Sequence, residues 1–573
     1  METIKESKKE TSIDRVVRFL RLFHLNLRMD KLFRLVLIAF LILAGLKIIS
    51  TFFIVSPTIF ADEYFYSKMA QSYFNFREFS VHGDFFQTYP PIYSVLISAA
   101  YYFKDMTNVY TFIKIINAIV SSLIIFPAFF LAKELLNEKK ALLVSILISV
   151  LPMNLVFSGY VMAENLFYVL FLTASYFIYK SFKEDNLIYD AFAGIFIGLT
   201  ILTRYLGLAL LVPVGIVLLY EIFIAKKRTN KFIIFVIAGL AFGAWLFRNG
   251  YLFGFDMGGM LGTYIRDGYP VTFTPLSLAI WTILNFAMLI ISTGFIFIIS
   301  IFSNIRENFR KYRMFYLLFF SVVIAVLIML AERTAGSALF KVDTLLELTG
   351  RPSARYIDVL APLAIIGGFA SLQSKKVSNK LIISLIFITI LASQLFFFNL
   401  YPVNNMSLFW LGAISYLTKT LTNNIYVLTV IYSVILVSAI FVSTMLLKKI
   451  NPNKLVLLMI IFFTALSLAN IVAISINSNE WHNSSDGQLG LWINENIDGI
   501  ILIDDKYCNE FDFRNTDTLC SKKNKSSLIG FWINDEIKIG NPNEVPANYI
   551  ITRDVLTLEK IYELDGTFIY KSA

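Results

Sequence analysis

About thirteen apolar runs recur along this chain, most of them close to the length a helix needs to cross a bilayer. They fall at 32–55, 108–132, 140–158, 162–180, 188–203, 204–224, 231–251, 277–301, 313–331, 356–372, 379–400, 424–447 and 454–476. A chain built this way cannot hide all of that surface in one water-soluble core. Composition agrees: of 573 residues, 57% are hydrophobic and 16% charged, with a mean hydropathy of +0.69. A soluble protein carries roughly a quarter charged residues. The expected fold class is therefore mainly α: a polytopic transmembrane bundle of about thirteen spans with interfacial helices.

A net charge of +10 and a pI near 9.2 would suit a nucleic-acid ligand. The cations instead sit in short loops between apolar runs, such as "KKRTNK" (226–231), "RENFRKYR" (306–313), "KKVSNK" (375–380) and "KKINPNK" (448–454). That is the pattern of cytoplasmic loops, and no nucleic-acid partner is expected. The basic segment 1–31 then lies inside, and the first run acts as a signal anchor. Parity holds only if "IYSVLISAAYYF" (92–103) does not cross. At this length it suits an interfacial or re-entrant helix. The catalytic bundle would occupy 32–476, in a multi-pass arrangement in the cell membrane. Segments 56–107, 159–163, 203–204, 252–276, 332–355, 401–423 and everything after 476 would face outward.

The stretch 477–573 changes character: charged, Asn-rich and without a spanning run. "SSDGQLGLWINENI" (484–497) reads as a capped amphipathic helix. "GIILIDD" (499–505) and "ANYIITRD" (547–554) read as strands, and "IYELDGTFIY" (561–570) as a hairpin around Asp565-Gly566. A small extracytoplasmic α/β domain is expected. Both cysteines, Cys508 and Cys520, fall in it. A disulfide between them fits an oxidising compartment. Sequons at Asn405, Asn483 and Asn524 would also face outward.

Ionisable groups at or within the membrane are costly, so each needs a reason. "ADEYFYSKMAQSYFNF" (61–76) places Asp62 and Glu63 at the head of a helix. Its Phe65, Tyr66, Met69, Tyr73 and Phe76 share one face, expected to rest in the membrane interface. Neighbours on a helix point about 100° apart, so one acid of the pair can address a given cleft. Glu164 lies just inside a span in "VFSGYVMAENLFYVL" (156–170), facing a polar cavity or a cation. Arg204, Arg248, Arg333, Lys341, Arg351 and Arg355 gather toward the same side. Each could anchor lipid headgroups, but arginine forks also suit phosphate oxygens. His82, in "FSVHGDFFQTYPPIYS" (79–94), is a further candidate acid/base or metal ligand. Carboxylates and arginines on one face point to transfer chemistry on an anionic lipid.

In their order, "ADEYFYSKMAQSYF", "QTYPPIYSVLISAAYYF", "SGYVMAENLFYVLF", "GIFIGLTILTRYLGLALLVP", "AWLFRNGYLFG" and "GRPSARYIDVLAPLAIIGG" resemble the GT-C superfamily of membrane glycosyltransferases. The nearest likeness is to the branch of protein O-mannosyltransferases and aminoarabinose transferases. The resemblance runs across about 60–370. It implies an inverting transfer from a polyprenyl-phosphate-linked sugar, with Asp62 as base and Glu164 as the second outer acid. Arg204, Arg248 and Arg355 would then match basic positions of the phosphate-binding region. The chain departs from the aminoarabinose transferases by carrying Thr88-Tyr89, not an acid–lysine pair, before Pro90-Pro91. Tyr89 therefore joins the candidate site, and an aminoarabinose substrate is not expected. No Trp-Trp-Asp signature and no DxD in the first outer loop are present, so a divalent metal is allowed but not required.

The resulting expectation is a glycosyltransferase that uses a polyprenyl-phosphate sugar among membrane lipids, with the acceptor (protein, lipid or glycan) unassigned. The rival is a multi-pass transporter or lipid flippase. That class favours internal repeats and charges at the bilayer midplane, whereas here the charges gather at one face.

Overall fold

Among the described residues of the computed structural model, ten helices are long and apolar enough to cross a membrane, or eleven if one bent pair counts as a span. The structure describes residues 31–58, 60–262, 274–303, 305–335, 344–345, 348, 350, 352–372, 377–400, 405–509, 519–521 and 528–572. The basic segment 1–30, Lys341, Arg351 and Asn524 lie outside them.

The three expected spans that fall short of that test do so for separate reasons. The run 140–158 forms Glu138–Ser149 and Pro152–Gly159, bent by 68°. Pro152 opens the second piece and has no backbone N–H with which to continue the first. Run 162–180 becomes Glu164–Lys183, which is buried along most of its length and carries Glu164, Asn165, Ser175 and Lys180 on buried positions. Its charged and polar side chains, not its burial, hold down its hydropathy: Ala354–Ser371 is more fully buried and is apolar enough to cross. Run 188–203 becomes the 15-residue helix Leu187–Ile201, about 22 Å long, against a hydrocarbon core of about 30 Å. The re-entrant candidate forms Ile92–Tyr102, which is likewise short.

Close packing inside the bundle rests on small residues. A Cβ at Gly368 would sit 2.6 Å from the backbone carbonyl of Phe297, so helices Ala361–Ser371 and Ile296–Ser303 touch backbone to backbone. Small residues allow this approach where lipid supplies no hydrophobic drive between helices.

The C-terminal domain has the expected elements. Helix Ser485–Asn496 is capped by Ser484, whose side chain accepts from the Gly487 amide. Five strands form one sheet, in the spatial order Ile537–Gly540, Ile501–Asp504, Tyr549–Thr552, Thr567–Lys571, Glu559–Leu564. The first three run parallel, and the last two form the antiparallel hairpin. Asp565 and Gly566 both take positive φ, 50° and 69°, as a two-residue turn of type I′ demands. Cys508 and Cys520 are disulfide-bonded, with Cα atoms 4.5 Å apart.

This domain docks on the segment after the first span. Phe531 and Trp532 enter the same buried cluster as Tyr64, Phe65, Tyr66, Met69, Tyr93 and Tyr110. Lys68 Nζ donates to the Ile533 carbonyl at 2.5 Å. The aromatic stripe of helix Phe60–Phe76 is thus not a membrane-lying face: Phe65, Tyr66 and Met69 are buried in protein, while Phe76 is exposed. Period alone cannot tell a lipid interface from a domain interface. Asn405 is also no open sequon, being 2% exposed and accepting from the Ala354 amide.

Candidate active site

Helix Phe60–Phe76 opens with Asp62 and Glu63 in its first turn, where negative charge complements the helix dipole. Asp62 Oδ1 accepts from the Tyr89 hydroxyl at 2.5 Å, and Oδ2 from Arg355 Nη1 at 2.8 Å. Tyr89 reaches it from just before the Pro90-Pro91 pair, where Pro91 caps helix Ile92–Ile97. Arg355 comes from the short helix Ala354–Ile357. Its Nε lies 3.6 Å from Glu164 Oε1. Glu164 heads helix Glu164–Lys183, and its Oε2 accepts from Arg204 Nη2 at 2.7 Å. Side-chain exposure is 13% for Asp62, 11% for Arg355, 1% for Glu164 and 3% for Arg204. Tyr89, Asp62, Arg355, Glu164 and Arg204 therefore form one continuous, largely buried polar chain.

A third cation completes it. The Tyr356 ring lies 5.3 Å from the Arg204 guanidinium, 5.2 Å from that of Arg333 and 5.0 Å from that of Arg355. Arg355 Nη2 also donates to the Tyr356 hydroxyl at 3.2 Å. Tyr168, one turn past Glu164, donates to the Arg355 carbonyl at 2.6 Å. Arg204 and Arg355 are buried against the two carboxylates, while Arg333 is exposed beside the Tyr356 ring.

Burial would raise the Asp62 pKa, but the opposing influences win. Arg355, then Arg204, then the Tyr89 and Arg355 hydrogen bonds hold the carboxyl well below the usual carboxylate range. Asp62 is ionised, and in this state it is a weak base.

The remaining candidates sit elsewhere. Glu63 turns away from the cluster: its oxygens accept from the Thr58 and Val161 amides, each at 2.9 Å. Arg248 donates to the carbonyls of Phe86 and Phe79 at 2.9 and 3.1 Å and stacks on Trp245. It supports the hairpin Ser80–Val81/Asp84–Phe85. His82 occupies the turn of that hairpin, with φ of 47°, and its Nδ1–H donates to the Asp535 carbonyl at 2.8 Å. Arg351 and Lys341 lie outside the described residues. Both clustered carboxylates are committed to arginines. Among the described residues, no group of three or more His, Cys, Asp or Glu side chains could hold a metal ion. This donor set does not fit a divalent metal.

Tyr356 and Asp358 are not among the candidates that the sequence singles out. Both lie in "SARYIDVLAP" beside an arginine already singled out, and Asp358 is a fully buried acid. An ionisable residue inside an apolar segment was the available signal.

Residues 89–247 match the family model for dolichyl-phosphate-mannose-protein mannosyltransferase. No curated protein matches the chain. Among solved structures, ArnT from Cupriavidus metallidurans bound to undecaprenyl phosphate is 14% identical, with a TM-score of 0.51, covering 88% of this chain and 85% of that one. The oligosaccharyltransferase of Archaeoglobus fulgidus in its apo form is also 14% identical, over 88% of this chain and 65% of that one, at a TM-score of 0.35. The fold shared with ArnT spans the bundle, and the matched segment contains Tyr89, Glu164 and Arg204. This chain has the fold of the GT-C superfamily of membrane glycosyltransferases.

Proposed function

We propose that this chain moves a sugar from a polyprenyl-phosphate-linked donor to a hydroxyl-bearing acceptor at the extracytoplasmic face, with Asp62 as base. One observation carries the reading: Asp62 and Glu164 both engage Arg355, beside Arg204 and Arg333. The undecaprenyl phosphate bound in the C. metallidurans ArnT structure supports the class of donor. Loop charge supports the sidedness.

The chemistry follows from the charges. Donor phosphate competes with Asp62 for Arg355, and Glu164 keeps both arginines aimed at it. Released from its cation, Asp62 becomes a stronger base and takes the proton of the acceptor hydroxyl. The hydroxyl oxygen bonds to the anomeric carbon while the bond from that carbon to the phosphate oxygen breaks. The electron pair leaves with the phosphate, whose charge Arg355, Arg204 and Arg333 meet. A single displacement inverts the anomeric centre. Donor binding is thus what arms the base, which limits activation of water in its absence.

The test is to reconstitute the purified full chain in vesicles with polyprenyl-phosphate hexose and a hydroxyl acceptor. Release of polyprenyl phosphate matched by sugar on the acceptor is the expected result. Movement of intact donor lipid across the vesicle without cleavage would overturn it and favour a flippase.

A further inference from the structure

Glu63 is fully buried, adjacent to Asp62, and aimed away from it. Its Oε2 takes the Thr58 amide, in the segment entering its own helix, and its Oε1 takes the Val161 amide. Val161 lies three residues before Glu164 in the chain. The approach to Glu164 is held by other side chains too. Asn117 donates to the Tyr160 carbonyl at 2.8 Å. Asn165 donates to the carbonyls of Phe157, Tyr160 and Met162.

The 51–58 segment is also held by Lys114, 3% exposed on helix Met106–Ser122. It donates to the Thr51 and Ile54 carbonyls at 3.0 and 2.5 Å and lies over the Tyr110 ring. Its charge acts on that of Glu63. Anion and cation therefore hold one connecting segment, Glu63 through the Thr58 amide and Lys114 through the Thr51 and Ile54 carbonyls. An apolar pair in this place would leave the Thr58 and Val161 amides without the acceptor they now have, so the charges have a geometric task.

We infer that Glu63 and Lys114 form a buried clasp that sets the distance between Asp62 and Glu164, making both positioning residues for the transfer. The inference rests on the reading of Asp62 as the base. A carboxylate can accept from two amides at once. A glutamine can accept from one and must present its NH₂ to the other, so Glu63→Gln releases one side of the clasp. Lys114→Met takes away the cation and its hold on the Thr51 and Ile54 carbonyls.

In the transfer assay, Glu63→Gln is expected to lower kcat about tenfold, one factor of 1.36 kcal/mol in the barrier, while donor KM stays within about twofold of wild type. Lys114→Met should fall further. The double variant Glu63→Gln/Lys114→Met should recover activity above Lys114→Met alone, because both members of the charge couple are then neutral. A merely structural role would move KM together with kcat. Hydrogen exchange on the full chain should quicken at the Thr58 and Val161 amides in Glu63→Gln. Wild-type kcat in Glu63→Gln, or additive losses in the double variant, would overturn the clasp. Complete loss in Glu63→Gln with donor binding intact would instead make Glu63 the base. If Glu63→Gln does not reach the membrane folded, the comparison of Lys114→Met with the double variant decides. Asp62→Asn run alongside separates the two claims: turnover in that variant sinks the assignment of the base and leaves the clasp to be judged by exchange.

Discussion

Arg355 Nη1 lies 2.8 Å from Asp62 Oδ2, joining residues 293 positions apart in the chain. The same guanidinium turns its Nε toward Glu164, so one side chain bridges both acids. A lysine ammonium is a point charge on a flexible stem and cannot reproduce that fork. Arg355→Lys should lower kcat/KM for the donor by roughly 100-fold, the scale seen when one preorganised donor to a developing anion is lost. Steady-state kinetics over a donor series checks this; a loss below about threefold would remove Arg355 from the phosphate site.

The Asp62–Arg355 pair also fixes a pH dependence. Against burial, which acts to raise it, Arg355 and Arg204 hold the Asp62 pKa below its usual value. The unfolded chain, with an Asp near 3.9, then binds more protons than the folded one between the two values. Stability from Asp62 is complete above about pH 4 and is lost as pH falls toward the folded value. The melting-temperature gap between wild type and Asp62→Asn should stay constant from about pH 8 to 5 and close below about 4. A gap that closes between about pH 7 and 5 would mean that Asp62 is not held by these arginines.

Trp532 is fully buried, its ring centroid 5.9 Å from that of Tyr110. Removing a buried aromatic of this size costs about 3–5 kcal/mol. Trp532→Ala should loosen the seam between the C-terminal domain and helix Phe60–Phe76. Limited proteolysis would then cut faster within 528–540 and 61–76, and transfer should drop because Asp62 sits on that helix. Unchanged proteolysis with lower activity would place Trp532 in the chemistry instead.

The Cys508–Cys520 disulfide closes a short loop, with a sequence separation of 12. A crosslink of that size stabilises by about 3 kcal/mol in the chain-entropy account. Reduction should lower the melting point of the C-terminal domain and expose two thiols to a labelling reagent. Two reactive thiols in unreduced, membrane-extracted protein would contradict the bond.

Much of this is legible in the sequence. Ten expected spans appear as long apolar helices because crossing a bilayer demands length and apolarity together. The meeting of Asp62, Glu164, Arg204 and Arg355 followed from placing costly charges on one side of the membrane. What the sequence hid depends on direction. Adjacent acids read alike, yet Asp62 faces the arginines while Glu63 binds amides. Arg248 and His82 share the same end of the chain's charge pattern but are engaged by hairpin carbonyls and by Asp535. Lys114 left a usable trace, as a lone cation in the apolar run "FIKIINAIV" (112–120). The aromatic stripe left none, since lipid and a docked domain select the same face.

The most direct test of the transferase site is a single turnover with polyprenyl-phosphate hexose and acceptor, comparing wild type with Asp62→Asn at equal membrane insertion. Wild type should release polyprenyl phosphate and glycosylate the acceptor, while the variant binds donor and releases none. Near-normal release by Asp62→Asn would contradict the account.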